Sequence, residues 1–256
     1  MMMETLRDRV CIVTGAHRGL GAVFARHMAG LGARVVAADI RSTSETVAAI
    51  RAAGGEAVEA TGDVQTQAGA EAIVAAATEA FGKLDILVNN AALYGGIQLA
   101  SFDRIAEDEW DLMMSVNVKG VWQMCRAAVP AMKENGYGRI VNVSSNVVFM
   151  GKPGFLHYVA SKGAVWAMTG ALSRELSGTG ITVNGIAPGY TITEATRSMS
   201  TPDYVVGLEE AIIGSQSVKR LIEADDLKGT IAFLASEAAG MITGQTVIVD
   251  GGTITG

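Results

Sequence analysis

Val10-Cys11-Ile12-Val13-Thr14 is a short apolar run of β-forming residues. It passes straight into Gly15-Ala16-His17-Arg18-Gly19-Leu20-Gly21. A helical pattern then begins, with apolar side chains at Ala22, Phe24, Ala25, Met28, Ala29 and Leu31. Strand, glycine-rich turn and helix in that order is the setting in which such a loop binds a dinucleotide. The glycines let the backbone approach a pyrophosphate, and the free N–H groups of the helix N-terminus face the anion.

The same β–α unit recurs along the chain. Strand-like runs lie at Arg34 to Ala38, Ala57 to Ala60, Leu84 to Val88, Arg139 to Val143, Ile181 to Ile186 and Thr246 to Asp250, with helical patterns between the earlier ones. Repeated β–α units imply a parallel sheet with right-handed crossovers and helices on both faces. The fold class is therefore α/β, a doubly wound sheet of about seven strands. With 256 residues and neither linker nor internal repeat, the chain reads as one domain. Hydrophobic residues make up 49 % and charged residues 18 %, which excludes a disordered chain. A net charge of −6 without a basic block argues against nucleic acid as a partner. Cys11 and Cys125 are the only cysteines, so neither a disulfide framework nor a structural zinc site is supported. The polar first residues lack an apolar signal core, and no window is apolar for long enough to span a bilayer. A cytoplasmic protein with no membrane association is expected.

Several residues stand where strands end. Asp39, about 20 residues past the glycines, can accept from both ribose hydroxyls and would repel a 2′-phosphate. It favours NAD. Arg18 and Arg41 pull the other way, since either can meet a phosphate, so NADP stays open. Asp63 can face an adenine edge or cap the following helix. Asn89-Asn90-Ala91-Ala92 follows the fourth strand, where open α/β sheets bind ligands. Asn117 is an oddity inside an apolar helical stretch, and mid-helix asparagine tends to bend a helix.

Tyr158-Val159-Ala160-Ser161-Lys162 puts a phenol and an ammonium one helical turn apart on one face. A fixed cation stabilises a phenolate, so the expectation is a phenol titrating below its ordinary ~10 and able to exchange a proton near neutrality.

Thr14-Gly15-x-x-x-Gly19-x-Gly21, Asp63, Asn89-Asn90-Ala91, Asn117, Ser145, Tyr158-x-x-x-Lys162 and Pro188-Gly189 occur in an order and spacing that resembles the short-chain dehydrogenase/reductase family in its classical form. Ser145 lies 13 residues before Tyr158, as that family has it. The resemblance covers nearly the whole chain. It implies that Tyr158 gives or takes the proton, that Lys162 lowers its pKa and holds the nicotinamide ribose, and that Ser145 hydrogen-bonds the substrate oxygen. Ser144 is the competing serine. Asn117 is implied to bend its helix and hold a relay water. Gly15, His17, Arg18, Gly19, Leu20 and Gly21 are implied to cradle the cofactor. Asp39 with Ile40, Asp63 with Val64, and Asn90 with Ala91 join them, as do Pro188, Gly189, Thr191 and Thr193 beside the nicotinamide. Two positions depart from the pattern: Ala92 replaces a usual Gly, and Gly185 a usual Ala.

Tyr94, the stretch Val147 to His157 with Phe155, and a lid over about 190–220 with Tyr190, Met199 and Tyr204 supply the expected substrate wall. It suits a hydrophobic or aromatic secondary alcohol or its ketone. His157 reads as a packing or rim residue. The expected activity is NAD-dependent alcohol oxidation. An NADPH-dependent ketoreductase of the 3-oxoacyl-(acyl carrier protein) type is the runner-up, and a catalytically silent dinucleotide-binding regulator is the reading from another class. The resemblance further implies a homotetramer with a small-molecule substrate as its partner.

Overall fold

The computed structural model describes residues 6–97, 99–197 and 202–255. Met199 of the expected wall lies outside them, as does the side chain of Tyr204.

Seven parallel strands form one sheet: β1 (Val10–Thr14), β2 (Arg34–Asp39), β3 (Ala57–Thr61), β4 (Ile86–Asn89), β5 (Gly138–Val143), β6 (Ile181–Pro188) and, last in the chain, β9 (Thr246–Val249). Their order is β3-β2-β1-β4-β5-β6-β9. β1 is an interior strand, third in that order, and is wholly buried, as its unbroken apolar run requires. The chain winds outward from β1 to β3, returns, and winds the other way from β4. The crossovers therefore diverge between β1 and β4, which opens a crevice at the strands' carboxyl ends.

Alternate strand residues feed two cores. Cys11, Val13, Val35 and Ala37 pack with α1 (Gly19–Gly30), α2 (Ser44–Ala52) and α10 (Ala224–Ala235) through Phe24, Met28, Ile50 and Ile231. Val10, Ile12, Val36 and Leu87 pack with α3 (Gln67–Phe81), α5 (Gly120–Glu134) and α7 (Leu156–Glu175) through Ile73, Met124 and Val165. Period-two alternation along each strand is what divides the side chains between the two faces.

Three local features go beyond the runs read from the sequence. The stretch from Asn146 to His157, which reads in the sequence as a loop joining the fifth strand to the Tyr158 helix, instead contains a short helix, α6 (Val147–Met150), and the first two residues of α7. Between α4 (Glu107–Met114) and α5 runs a π-helical turn, Ser115–Lys119, in which Gly120 N–H reaches back to Ser115 O. Asn117 sits inside it. The single extra residue in that turn is the distortion that a mid-helix asparagine announced. Finally, the region after β6 holds β7 (Thr191–Ile192), α8 (Glu194–Arg197) and α9 (Pro202–Ser215), and β7 pairs with the two-residue β8 (Ile222–Glu223). Two-residue strands carry no periodicity for a sequence reading to find. Among the described residues no helix is long and apolar enough to cross a membrane.

Candidate active site

A cleft of about 540 Å³ opens at the crevice. One end is the glycine loop. Gly15 (φ +70°) and Gly19 (φ +58°) both lie in the left-handed region, which favours glycine. A Cβ on Gly21 would run into the Gly15 carbonyl, so the loop closes on α1 only with hydrogen at that position. A Cβ on Gly19 would meet nothing within 4 Å: bare backbone borders open space there. α1 has no side-chain cap at Arg18 and no acidic residue in its first turn. Its leading N–H groups are thus left for an anion, as a dinucleotide pyrophosphate would supply. On these observations the loop fits a dinucleotide.

Asp39 lies farther along the cleft, at the end of β2. Its carboxylate accepts from the backbone N–H of His17 (3.3 Å) and Arg41 (3.0 Å). Arg18 is turned toward Glu194, 3.7 Å away. Ile40 is exposed on the cleft rim. Asp63 and Val64 border it too. Asp63 does not cap α3: it accepts from the N–H and side chain of Gln65, whereas Thr66 is the cap, accepting from Gly69 N–H at 3.0 Å. Asn90 donates to Thr14 O at 3.0 Å and ties β4 to the glycine loop beside Ala91. Pro188, Gly189, Thr191 and Thr193 line the cleft too, although Thr193 also accepts from Thr196 N–H at 3.2 Å and so helps begin α8.

At the other end α7 carries Tyr158 and Lys162, 7 % and 4 % exposed. The ammonium stands 5.8 Å from the phenol ring centre and donates to Val143 O at 2.8 Å. Burial pushes the Tyr158 phenol well above its ordinary value; Tyr94 nearby adds to this and a hydrogen bond with Ser145 opposes it. Burial likewise pulls Lys162 down, to about 8. The expected downward pull of the ammonium on the phenol is therefore not met. A phenolate loses its hydration here, and the cation meant to stabilise it is itself desolvated.

The two serines separate cleanly. Ser144 donates to Lys162 O at 2.9 Å and braces α7. Both border the cleft, but it is Ser145 that meets Tyr158. Asn117 is 1 % exposed and lies outside the cleft wall. Its Oδ1 accepts from Leu93 N–H at 2.7 Å, and its Nδ2 donates to Ser161 Oγ at 3.1 Å and to Leu93 O at 3.3 Å. It clamps the loop after β4 to α7. His157 is wholly buried, 3.2 Å from Glu109, so it packs and is not a rim residue.

Tyr94, Val147, Phe155 and Tyr190, the residues expected to bind substrate, line the cleft. The structure adds Leu112 and Val116 from the α4 region, and Leu208 and Ile212 from α9. The four-residue spacing of each pair is a helical-face signal, but it reads equally well as core.

A family profile described as Enoyl-(Acyl carrier protein) reductase matches residues 15–254. An uncharacterized oxidoreductase of Methylorubrum extorquens is 36 % identical over 255 residues, covering 98 % of this chain and 99 % of its own. The 3-oxoacyl-(acyl-carrier-protein) reductase FabG of Staphylococcus aureus (strain Mu50) is 36 % identical over 244 residues, covering 94 % and 96 %. A solved structure, provisionally called a short-chain alcohol dehydrogenase, from Sinorhizobium meliloti 1021 superposes with a TM-score of 0.91 at 33 % identity, covering 98 % of each chain. With the glycine cradle, the phenol–ammonium pair and these likenesses together, the chain belongs to the short-chain dehydrogenase/reductase family, oxidoreductases that act on CH–OH groups with a nicotinamide dinucleotide.

Proposed function

We propose that this protein interconverts a hydrophobic or aromatic secondary alcohol and its ketone, with NAD as coenzyme. One observation carries the reading: Ser145, Tyr158 and Lys162 meet at one end of a cleft whose other end is bare glycine backbone and Asp39. Gly15, Gly19 and the N-terminus of α1 would hold the pyrophosphate, Asp39 the adenosine ribose, and Thr191, Thr193 and Lys162 the nicotinamide half. When bound, the nicotinamide takes up or delivers the hydride. The chain's own part is position and protons. Ser145 and Tyr158 hydrogen-bond the substrate oxygen, as donors where charge develops on it. Tyr158 exchanges that oxygen's proton, and Lys162 favours the charged phenol when it forms. Asn117 acts through others, holding the loop of Leu93 and the helix of Tyr158 in register. Tyr190, Leu208 and Ile212 belong to a proposed lid over about 190–220.

NAD is preferred on two grounds. The Asp39 carboxylate is pinned at the strand end by two backbone N–H groups, and Arg18 is directed to Glu194. Confronting that carboxylate with a 2′-phosphate costs several kcal/mol, so kcat/KM for 1-phenylethanol oxidation should be about a hundredfold higher with NAD than with NADP. Steady-state rates with the two coenzymes measure it. A preference for NADP would favour the second reading, an NADPH-dependent reductase. That reading draws on Arg18 at the loop and on the relatives named 3-oxoacyl-(acyl-carrier-protein) reductase.

We further infer a cytoplasmic homotetramer. Trp122 on α5, Trp166 on α7 and Val247 on β9 are large apolar side chains 45 %, 47 % and 38 % exposed, on the elements from which assembly is expected. Contiguous exposed apolar surface marks interaction sites. Light scattering should give four times the chain mass of 26.5 kDa; a single-chain mass would rule the tetramer out.

A further inference from the structure

Tyr94 carries a second phenol at the reacting end of the cleft. Its ring centre lies 5.2 Å from that of Tyr158, tilted by 52°. Phe155, at 6.1 Å from Tyr158, completes an aromatic cluster with Ile97 and Met113 beneath it. The backbone next to Tyr94 is fixed from the far side, because Asn117 holds both the N–H and the carbonyl of Leu93. The ring is thus packed on one side and tethered on the other, which is the condition for a precisely aimed polar group. Its hydroxyl has no hydrogen-bond partner among the described residues, and Tyr94 lines the cleft. Burial, and then the nearby Tyr190, push it up to about 12, so at working pH it keeps its proton and can donate it. The mutual influence of Tyr94 with Tyr158, and of Tyr94 with Tyr190, brings all three phenols to one region.

A fixed, half-buried donor beside the acid–base pair needs an acceptor once the cleft fills, or it is left unsatisfied. The reacting oxygen is already met by Ser145 and Tyr158. We propose that Tyr94 is a specificity-determining residue that donates a hydrogen bond to a second oxygen next to the reacting carbon, so that the preferred substrates are vicinal diols and α-hydroxy ketones bearing an apolar group. This rests on the alcohol–ketone function proposed above and narrows its substrate class.

The test uses a matched pair, 1-phenyl-1,2-ethanediol and 1-phenylethanol, which differ by one neighbouring hydroxyl. Wild-type kcat/KM should favour the diol about tenfold, the worth of one satisfied hydrogen bond in a closed site. Tyr94→Phe, which keeps the ring contact, should abolish that preference and bring the ratio of the two kcat/KM values to about one. Equal wild-type rates on the two alcohols overturn the proposal. So does a Phe variant that loses both activities alike, since that is a packing role only. If the wild-type enzyme oxidises neither alcohol, the function proposed above fails. The Tyr94 assignment is then decided by calorimetry on the protein loaded with its reduced coenzyme. Tighter binding of 2-hydroxyacetophenone than of acetophenone, lost in Tyr94→Phe, supports it, and equal affinities overturn it.

Discussion

Tyr158→Phe is expected to lower kcat/KM for alcohol oxidation about a thousandfold, within the range a positioned general acid–base supplies. The variant keeps the ring, and with it the contacts to Tyr94 at 5.2 Å and Phe155 at 6.1 Å. It loses the phenol oxygen and its hydrogen bond with Ser145. The glycine cradle and Asp39 lie at the other end of the cleft and are untouched, so coenzyme affinity should stay within about threefold, roughly the change expected of distant independent sites. Steady-state kinetics together with a fluorescence titration of the coenzyme separate the two effects. Unimpaired turnover would remove Tyr158 from the chemistry. Lost coenzyme binding would mean that the phenol serves the cradle instead.

Lys162→Met should abolish turnover and yet make the protein more stable at neutral pH. The wild-type ammonium is 4 % exposed and donates to Val143 O at 2.8 Å. Burial lowers it from about 10.5 to about 8. That displacement corresponds to roughly 3 kcal/mol of disfavour for the charged form. Below about pH 8 the group is charged in both the folded and the unfolded chain, and the burial cost is fully present. Between about 8 and about 10.5 the unfolded chain binds more protons than the folded one, so wild-type stability rises with pH across that window. Methionine has similar length and no charge to desolvate. The variant's melting temperature should exceed wild type by several degrees at pH 7, at ~2–4 °C per kcal/mol for a chain of this size. The gap should shrink steadily as pH approaches 10. Thermal melts of both proteins over that range check it, and a variant that melts lower than wild type at pH 7 would show that the ammonium is well solvated by its surroundings. A residue that costs stability where it stands is retained for what it does.

Local signals made much of this legible. The β–α alternation survives in the sequence because the interior strands bury both faces and read as unbroken apolar runs, while helices that bury one face repeat with a period near 3.6. The glycine loop is equally readable, since left-handed backbone at Gly15 and Gly19 and the closeness of Gly21 to the Gly15 carbonyl tolerate little else. Tyr158 and Lys162 are one turn apart, and helical geometry alone brings them to one face. The wall of the substrate end was less readable. Leu112 and Leu208 come from helices nearly a hundred residues apart in sequence, and their apolar faces look like any core. Asp63 kept two readings until Thr66 was seen to cap α3.

What the amino-acid order determined by itself is therefore the α/β winding, the anion-ready turn and the pairing of phenol with ammonium, all of which depend on neighbours within a few residues. The tertiary structure alone decided that Ser144 is spent on Lys162 O while Ser145 meets Tyr158, that Asn117 reaches across to Leu93 and Ser161, and that Tyr94 stands against Tyr158. It also reversed the expected titration of Tyr158. Hydration is lost through burial by segments distant in the chain, and no local pattern records how much water a folded cleft will exclude.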